Sequence, residues 1–195
     1  MSDIYIYPTD TVWGIGGDIF DNKTYLEIAK IKGTDTSKPL SILFYSVEHL
    51  LEYFEIDKVF GKEWLETFFS LEATLGVPLT LAKTEIPKHV SCGSSFVCLR
   101  VLKDEILREI IQKVGSPIST TSLNLTGQAP CIDENEAKKF HQQYAPDCKF
   151  LNLNSLKPSG HSSSILLMKE NGEFQFLREG FRVNEVKEHI KLLPA

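Results

Sequence analysis

The chain of 195 residues lacks most of what would place it in a membrane, outside a cell or on a broad polyanion. No apolar run reaches the roughly 18 residues that a spanning helix needs. The start, Met1-Ser2-Asp3-Ile4, has neither the basic region nor the apolar core of a signal peptide, so a cytoplasmic location is the expectation. Cysteine occurs four times, at Cys92, Cys98, Cys131 and Cys148, without the CxxC spacing of zinc or dithiol sites, and reads as reduced thiol. The five histidines, His49, His89, His141, His161 and His189, are scattered with no pair at metal-ligand spacing, and no metal site is expected. Of these, His161, between Gly160 and Ser162, is the one to place near a site. A basic excess is missing too: 21 Lys and Arg against 26 Asp and Glu give a net charge of −5. That argues against gripping nucleic acid over a wide surface, while leaving room for a local basic cleft. Neither a GxGxxG fingerprint nor a P-loop occurs. There is no internal repeat, linker or low-complexity segment.

What is present reads as one globular domain over residues 1–195, with 42% hydrophobic and 24% charged residues. Ile4 to Tyr7 predicts a strand, central because it is apolar throughout. Asp21 or Asn22 caps a helix to about Ile31, with Tyr25, Ile28 and Ala29 inward and Gly33 as its stop. A strand over 40–45 and helices over 47–54 and 57–71 follow, and Phe60, Trp64, Leu65 and Phe68 recur at core spacing. Leu79 to Ala82 and Phe96 to Val101 read as strands. Asp104 to Val114 reads as a helix with Ile106, Leu107, Ile110 and Ile111 inward. A short strand over 117–121, a polar helix over 133–144 and a C-terminal helix over 183–192 complete the helical crossovers. Asn171-Gly172 joins strands over 163–169 and 173–177 in a hairpin. The layout is mixed α/β. Residues 154–164, rich in Ser, Lys, Pro and Gly, are expected to form a mobile loop.

Three polar constellations stand out. Thr9, Asp10 and Thr11 leave the first strand before Gly14, Gly16 and Gly17; this suits a ligand at a strand end, and equally an ordinary polar turn. Lys32 and Lys38 lie at a helix end and a strand start, either as solvated charges or converging on an anion. Ser119 to Asn124, with Thr126 and Gly127, is a second hydroxyl-rich strand exit able to hold phosphate or sugar. Ser162 to Ser164 opens a later strand. Arg100 and Arg178 sit within or at the end of apolar strands, suited to a phosphate, a carboxylate or a salt bridge.

Taken in order, Pro8-Thr9-Asp10-Thr11-Val12-Trp13-Gly14, Lys32 with Lys38-Pro39-Leu40, Pro78 to Leu81, Arg100, Thr121-Ser122-Leu123-Asn124-Leu125-Thr126-Gly127, Ser163-Ser164 and Leu177 to Gly180 resemble the YrdC/Sua5 family of threonylcarbamoyl-AMP synthases. The resemblance spans roughly residues 5 to 182. It implies a short, single-domain YrdC-like fold: a twisted mixed sheet flanked by helices, with a concave positive cleft. It also implies a reaction in which L-threonine and bicarbonate (or CO2) form a carbamate that attacks the ATP α-phosphate. Threonylcarbamoyl-AMP forms, pyrophosphate leaves, and a partner enzyme carries the threonylcarbamoyl group to adenosine 37 of tRNA. ATP is then a substrate, with Mg2+. On this resemblance Lys32, Lys38 and Arg178 are the catalytic candidates, and Thr9, Thr11, Trp13, Arg100, Ser122, Asn124 and Ser163 bind substrates. Thr9 and Thr11 would shape the threonine end, Trp13 would be an apolar wall, and Arg100 would support the cleft. The chain departs from the family at Thr34, where Arg is usual, at Leu102, where Pro is usual, and at Asp104, where His is common. A non-catalytic RNA-binding paralog of the YciO kind is the alternative. An ATP-dependent carbamoylation enzyme acting on another amine is the third.

Overall fold

The computed structural model describes residues 3–35, 38–151 and 156–193. The chain runs β1 (Ile4–Pro8), β2 (Trp13–Gly17), α1 (Asn22–Lys32), β3 (Ser41–Phe44), α2 (Val47–Tyr53), α3 (Asp57–Phe60), α4 (Lys62–Ser70) and β4 (Ala73–Pro78). It continues through α5 (Lys88–Ser91), β5 (Phe96–Val101), α6 (Glu105–Val114), β6 (Ile118–Ser122) and α7 (Glu134–Tyr144). Last come β7 (Lys149–Phe150), β8 (Ser164–Met168), β9 (Phe174–Arg178) and α8 (Val183–Ile190). The strands form one nine-stranded mixed sheet in the order β7-β1-β2-β6-β3-β5-β4-β8-β9, twisted and flanked by helices. No helix among the described residues is long and apolar enough to cross a membrane.

Local chemistry sets the helix ends. The Asp21 carboxylate accepts from the Lys23 N–H, and Gly33 closes α1 in the left-handed region at φ +57. Asp104 caps α6 through the Leu107 N–H, and Asp133 caps α7 through the Glu136 N–H. At Gly61, φ +68 turns the chain and divides the helix expected over 57–71 into α3 and α4. Phe60, Trp64, Leu65 and Phe68 are buried nonetheless, in the large core beneath β3, β4, β5 and β8. Trp64 also locks α8 in place. Its Nε1 donates to the His189 carbonyl at 3.1 Å, a His189 ring nitrogen meets the Trp64 carbonyl at 2.9 Å, and the rings stack 4.6 Å apart.

Other expectations are corrected. β1 is not central; it lies next to the two-residue edge strand β7. It is apolar throughout because both its faces are covered. Ile4 and Ile6 pack with Ala137 and Phe140 of α7, while Tyr5 and Tyr7 pack with Leu107, Ile110 and Ile111 of α6. The glycine-rich stretch read as a turn is strand β2, paired with β1 and β6. A Cβ at Gly16 would lie 1.7 Å from the Ser119 carbonyl oxygen, so only glycine permits that pairing distance. The strand expected at Leu79 to Ala82 lies earlier, as β4, and Leu79–Leu81 is a 3-10 turn. Pro78 has no N–H to extend the ladder. Ile106 faces outward at 42% exposure, and Leu107, Ile110 and Ile111 carry the inner face of α6. The Asn171-Gly172 hairpin forms as expected, with Gly172 at φ +81. Of the loop expected over 154–164, Asn154 and Ser155 lie outside the described residues.

Candidate functional site

Strand periodicity builds the cleft. Successive side chains of a strand point to opposite faces. In β5, Val97, Leu99 and Val101 enter the core, so Phe96, Cys98 and Arg100 face the other way. In β3, Ile42 and Phe44 face the core while Ser41 and Leu43 face the cleft; in β4 the cleft side is Thr74. Thr120 and Ser122 of β6, and Arg178 at the end of β9, complete the floor and wall. The result is a cleft of about 450 Å³ over the open face of the sheet.

The Thr9 to Trp13 turn forms one lip. The Thr9 hydroxyl donates to the Val12 carbonyl at 2.6 Å and accepts from the Thr11 and Val12 N–H groups at 3.1 and 3.2 Å. Its single proton is therefore committed, and the 2.9 Å contact between the two hydroxyls makes Thr11 the donor to Thr9. Thr9 organises the turn, and Thr11 keeps lone pairs for a ligand. Trp13 contributes to the lining, but its ring stacks on Phe150 at 5.1 Å and is 2% exposed.

Two arginines supply positive charge. Arg100 is buried and paired with Asp10. Arg178 donates from Nε to the Ser163 carbonyl and from Nη2 to the Ser163 hydroxyl, both at 2.8 Å, and Thr74 Oγ1 lies 3.0 Å from that hydroxyl. The remaining N–H groups of Arg178 have no partner among the described residues. Partial burial and the neighbouring Arg100 charge hold the Arg178 guanidinium below its ordinary range. An anion between the two would relieve that repulsion. Burial also pushes the Cys98 thiol on the cleft floor up to about 11.

Beside the cleft, and sharing Pro39, Leu40, Thr121 and Ser122 with it, lies a polar pocket of about 160 Å³. Lys32 projects into it from the end of α1. Its Nζ donates to the Ser122 carbonyl, to the Asn124 carbonyl at 3.0 Å and to Asn124 Oδ1 at 2.9 Å. Asn124 Oδ1 also accepts from the Ser122 hydroxyl at 2.7 Å, and Nδ2 donates to the Leu125 and Gln128 carbonyls. Lys32 and Ser122 thus direct donors at Asn124, which directs its own at Leu125 and Gln128, and together they hold the β6 exit loop to α1. Burial and the adjacent Lys38 charge pull the Lys32 ammonium down to about 8, while the three oxygens around Nζ favour its charged form. Lys38 is exposed and lines the same pocket. So does Thr34, whose hydroxyl is buried without a partner among the described residues. Thr36 and Ser37, between them, lie outside the described residues.

The fold therefore gathers the residues singled out in the sequence around one cleft and its side pocket, with Trp13 largely withdrawn into the core. Thr74 and Cys98 were missed. The signal was there, since each sits one residue out of phase with core positions of its strand.

Among known proteins, the Sua5/YciO/YrdC family model, described as "Telomere recombination", matches residues 2–180. A relative from Riesia pediculicola named threonylcarbamoyl-AMP synthase is 30% identical over 146 residues, covering 72% of this chain and 75% of its own. The crystal structure of P. abyssi Sua5 complexed with L-threonine superposes with a TM-score of 0.79 at 22% identity. It covers 98% of this chain, which spans 54% of that one, about half its length. E. coli YciO gives a TM-score of 0.73 at 17% identity, covering 92% and 84% of the two chains. At these identities the two structures establish the fold.

Proposed function

The chain belongs to the Sua5/YciO/YrdC family, and we propose that it is an L-threonylcarbamoyladenylate synthase, a nucleotidyltransferase using L-threonine, bicarbonate or CO2, and ATP. The observation that carries this reading is the open side of Arg178, held against Ser163 and facing Arg100 across the cleft. The free N–H groups of the Arg178 guanidinium suit the phosphates of a nucleotide.

On this reading the threonine amine adds to CO2, forming a C–N bond and releasing a proton. A carbamate oxygen then attacks the ATP α-phosphorus, and the bond to the pyrophosphate oxygen breaks. The substrate supplies its own nucleophile, so the chain needs to position and to balance charge. Arg178 takes the phosphates, with Ser163 as its anchor. Arg100, fixed by Asp10, supports the cleft floor, with most of its charge balanced by that ion pair. Lys38 faces the anionic groups at the side pocket, where Lys32, Ser122 and Asn124 keep the loop in shape. Thr11 offers acceptor positions at the threonine end. Mg2+ would enter as part of MgATP, on phosphate oxygens and water. Among the described residues no group of three His, Cys, Asp or Glu is placed to hold a metal, so no step is assigned to a resident ion. The product would pass to a transferase acting on tRNA adenosine 37, in the cytoplasm.

The experiment is pyrophosphate release from ATP by purified protein, with and without L-threonine and bicarbonate. Release that requires both is expected. A folded, ATP-binding protein that releases none moves the reading to the non-catalytic RNA-binding paralog. Thr34 favours that second reading, because an uncharged hydroxyl, unpartnered among the described residues, stands where the family usually carries Arg.

A further inference from the structure

Next to the cleft, adjoining Ser162 of its lining, sits an aromatic pair with no part in the core. His161 and Phe181 stack with ring centroids 4.2 Å apart and 10° between their planes, and Phe181 still keeps 70% of its surface exposed. Both sides of the pair are held by backbone. On one side the Gly160 N–H donates to the Thr11 carbonyl at 2.8 Å, and the Ser159 N–H to the Asp10 carbonyl at 3.0 Å. These bonds tie the segment before His161 to the lip of the cleft. On the other side Gly180 lies flat against residues 162–164. A Cβ there would fall 2.4 Å from the Ser162 carbonyl oxygen and 2.5 Å from the Ser164 nitrogen, so only glycine lets the chain approach this closely. The Gly180 N–H donates to the Ser164 hydroxyl at 3.1 Å. Phe181 is thereby set on His161, one residue from Ser162 and three from Arg178, both of which line the cleft.

We propose that the His161–Phe181 pair is the platform on which the base of a nucleotide stacks while its phosphates lie against Arg178. The proposal rests on the part of the synthase reading that puts a nucleotide in the cleft, and it adds where the base goes. A nucleotide has a flat π-face at one end and a polyanion at the other. The protein offers parallel aromatic rings next to the cleft and an anchored guanidinium within it. Stacking accepts any base, so the pair supplies affinity, and discrimination between purines falls to other contacts.

The test is calorimetric titration of wild type, Phe181→Ala, His161→Ala and Phe181→Trp with ATP and with inorganic tripolyphosphate. Magnesium chloride is present; threonine and bicarbonate are absent. Both residues are exposed, so the variants are expected to fold. Wild type should bind ATP more tightly than tripolyphosphate. Each alanine variant should lose about tenfold or more in ATP affinity, with tripolyphosphate affinity unchanged, and Phe181→Trp should keep ATP affinity. If ATP and tripolyphosphate bind alike in wild type, or if the alanine variants hold ATP as tightly as wild type, the platform is overturned. The outcome does not depend on turnover. ATP held through the pair by a protein that releases no pyrophosphate leaves the platform standing and removes the synthase. Threonine-dependent release with an unchanged KM for ATP in Phe181→Ala does the reverse.

Discussion

Arg178 reaches Ser163 twice, from Nε to the carbonyl and from Nη2 to the hydroxyl, each at 2.8 Å. The fork geometry of a guanidinium makes both bonds from one side of the group and leaves the other side for a ligand. A lysine ammonium cannot do both. Arg178→Lys should therefore weaken ATP binding by at least about tenfold, the size of a lost charge-assisted hydrogen bond of ~1.5–3 kcal/mol. Calorimetric titration with ATP checks this, and wild-type affinity in the variant would remove Arg178 from the phosphate site.

Lys32 is expected to matter for stability before it matters for binding. Lys32→Met would leave the Ser122 and Asn124 carbonyls without their ammonium donor, at about 1–3 kcal/mol for each acceptor that stays dry. A fall in Tm of roughly 5–10 °C follows. The pH dependence has a definite sign. Folding lowers the Lys32 ammonium from the ordinary 10.5 to about 8, so between those values the unfolded chain holds a proton that the folded one has released. Stability contributed at this site therefore rises with pH from about 8 to 10.5, and the penalty for burying the charge is fully present below 8. Urea midpoints of wild type and Lys32→Met across pH 7 to 10.5 test it. The difference between them should grow in favour of wild type, and a flat difference would refute the assignment.

Thr34→Val is a change of one hydroxyl at constant shape. The Thr34 hydroxyl is buried without a partner among the described residues, so its removal should stabilise the ligand-free protein by about 1 kcal/mol, or ~2–4 °C in Tm. If that hydroxyl is the group that meets the amino-acid substrate in the side pocket, KM for L-threonine rises about fivefold, the worth of one neutral hydrogen bond. A higher Tm with an unaltered KM would make Thr34 a vestige rather than a contact.

Cys98 reports on occupancy of the cleft. Burial raises its thiol to about 11, so alkylation by iodoacetamide near neutral pH should run about a hundredfold slower than for an ordinary exposed thiol. The rate should climb about tenfold per pH unit toward 11, since the thiolate is the reactive species. ATP should slow it further while leaving Cys92, which does not line the cleft, unchanged. Peptide mapping of the labelled cysteines distinguishes the two, and equal protection of both would show a global change instead.

The parts of the fold that were legible were those that local chemistry decides. α1 could be read from its Asp21 cap, its inward Tyr25, Ile28 and Ala29, and its Gly33 stop, because each of these acts within a few residues. The Asn171-Gly172 hairpin was legible for the same reason. β2 was not. Gly14, Gly16 and Gly17 carry no side-chain pattern, and the demand for glycine at position 16 comes from Ser119, more than a hundred residues away. β1 misled for a related reason, since an apolar strand tells that both faces are covered but not how many strands lie beyond it on each edge.

The cleft divides along the same line. By itself the sequence determined its chemistry: hydroxyl-rich strand exits, two lysines around a strand start, arginines at strand positions, and an order of motifs matching one family. It determined these because residue types and short spacings set what groups can bond. Only the tertiary structure decided which of those groups remain available. Lys32 and Asn124 stand 92 positions apart, and their bond commits the lysine to its own loop. Arg178 and Ser163 meet across a sheet edge, and their bonds aim the arginine at the cleft. A hydrogen-bond donor has no more than its own few protons to give, and only the folded chain reveals where each of them goes.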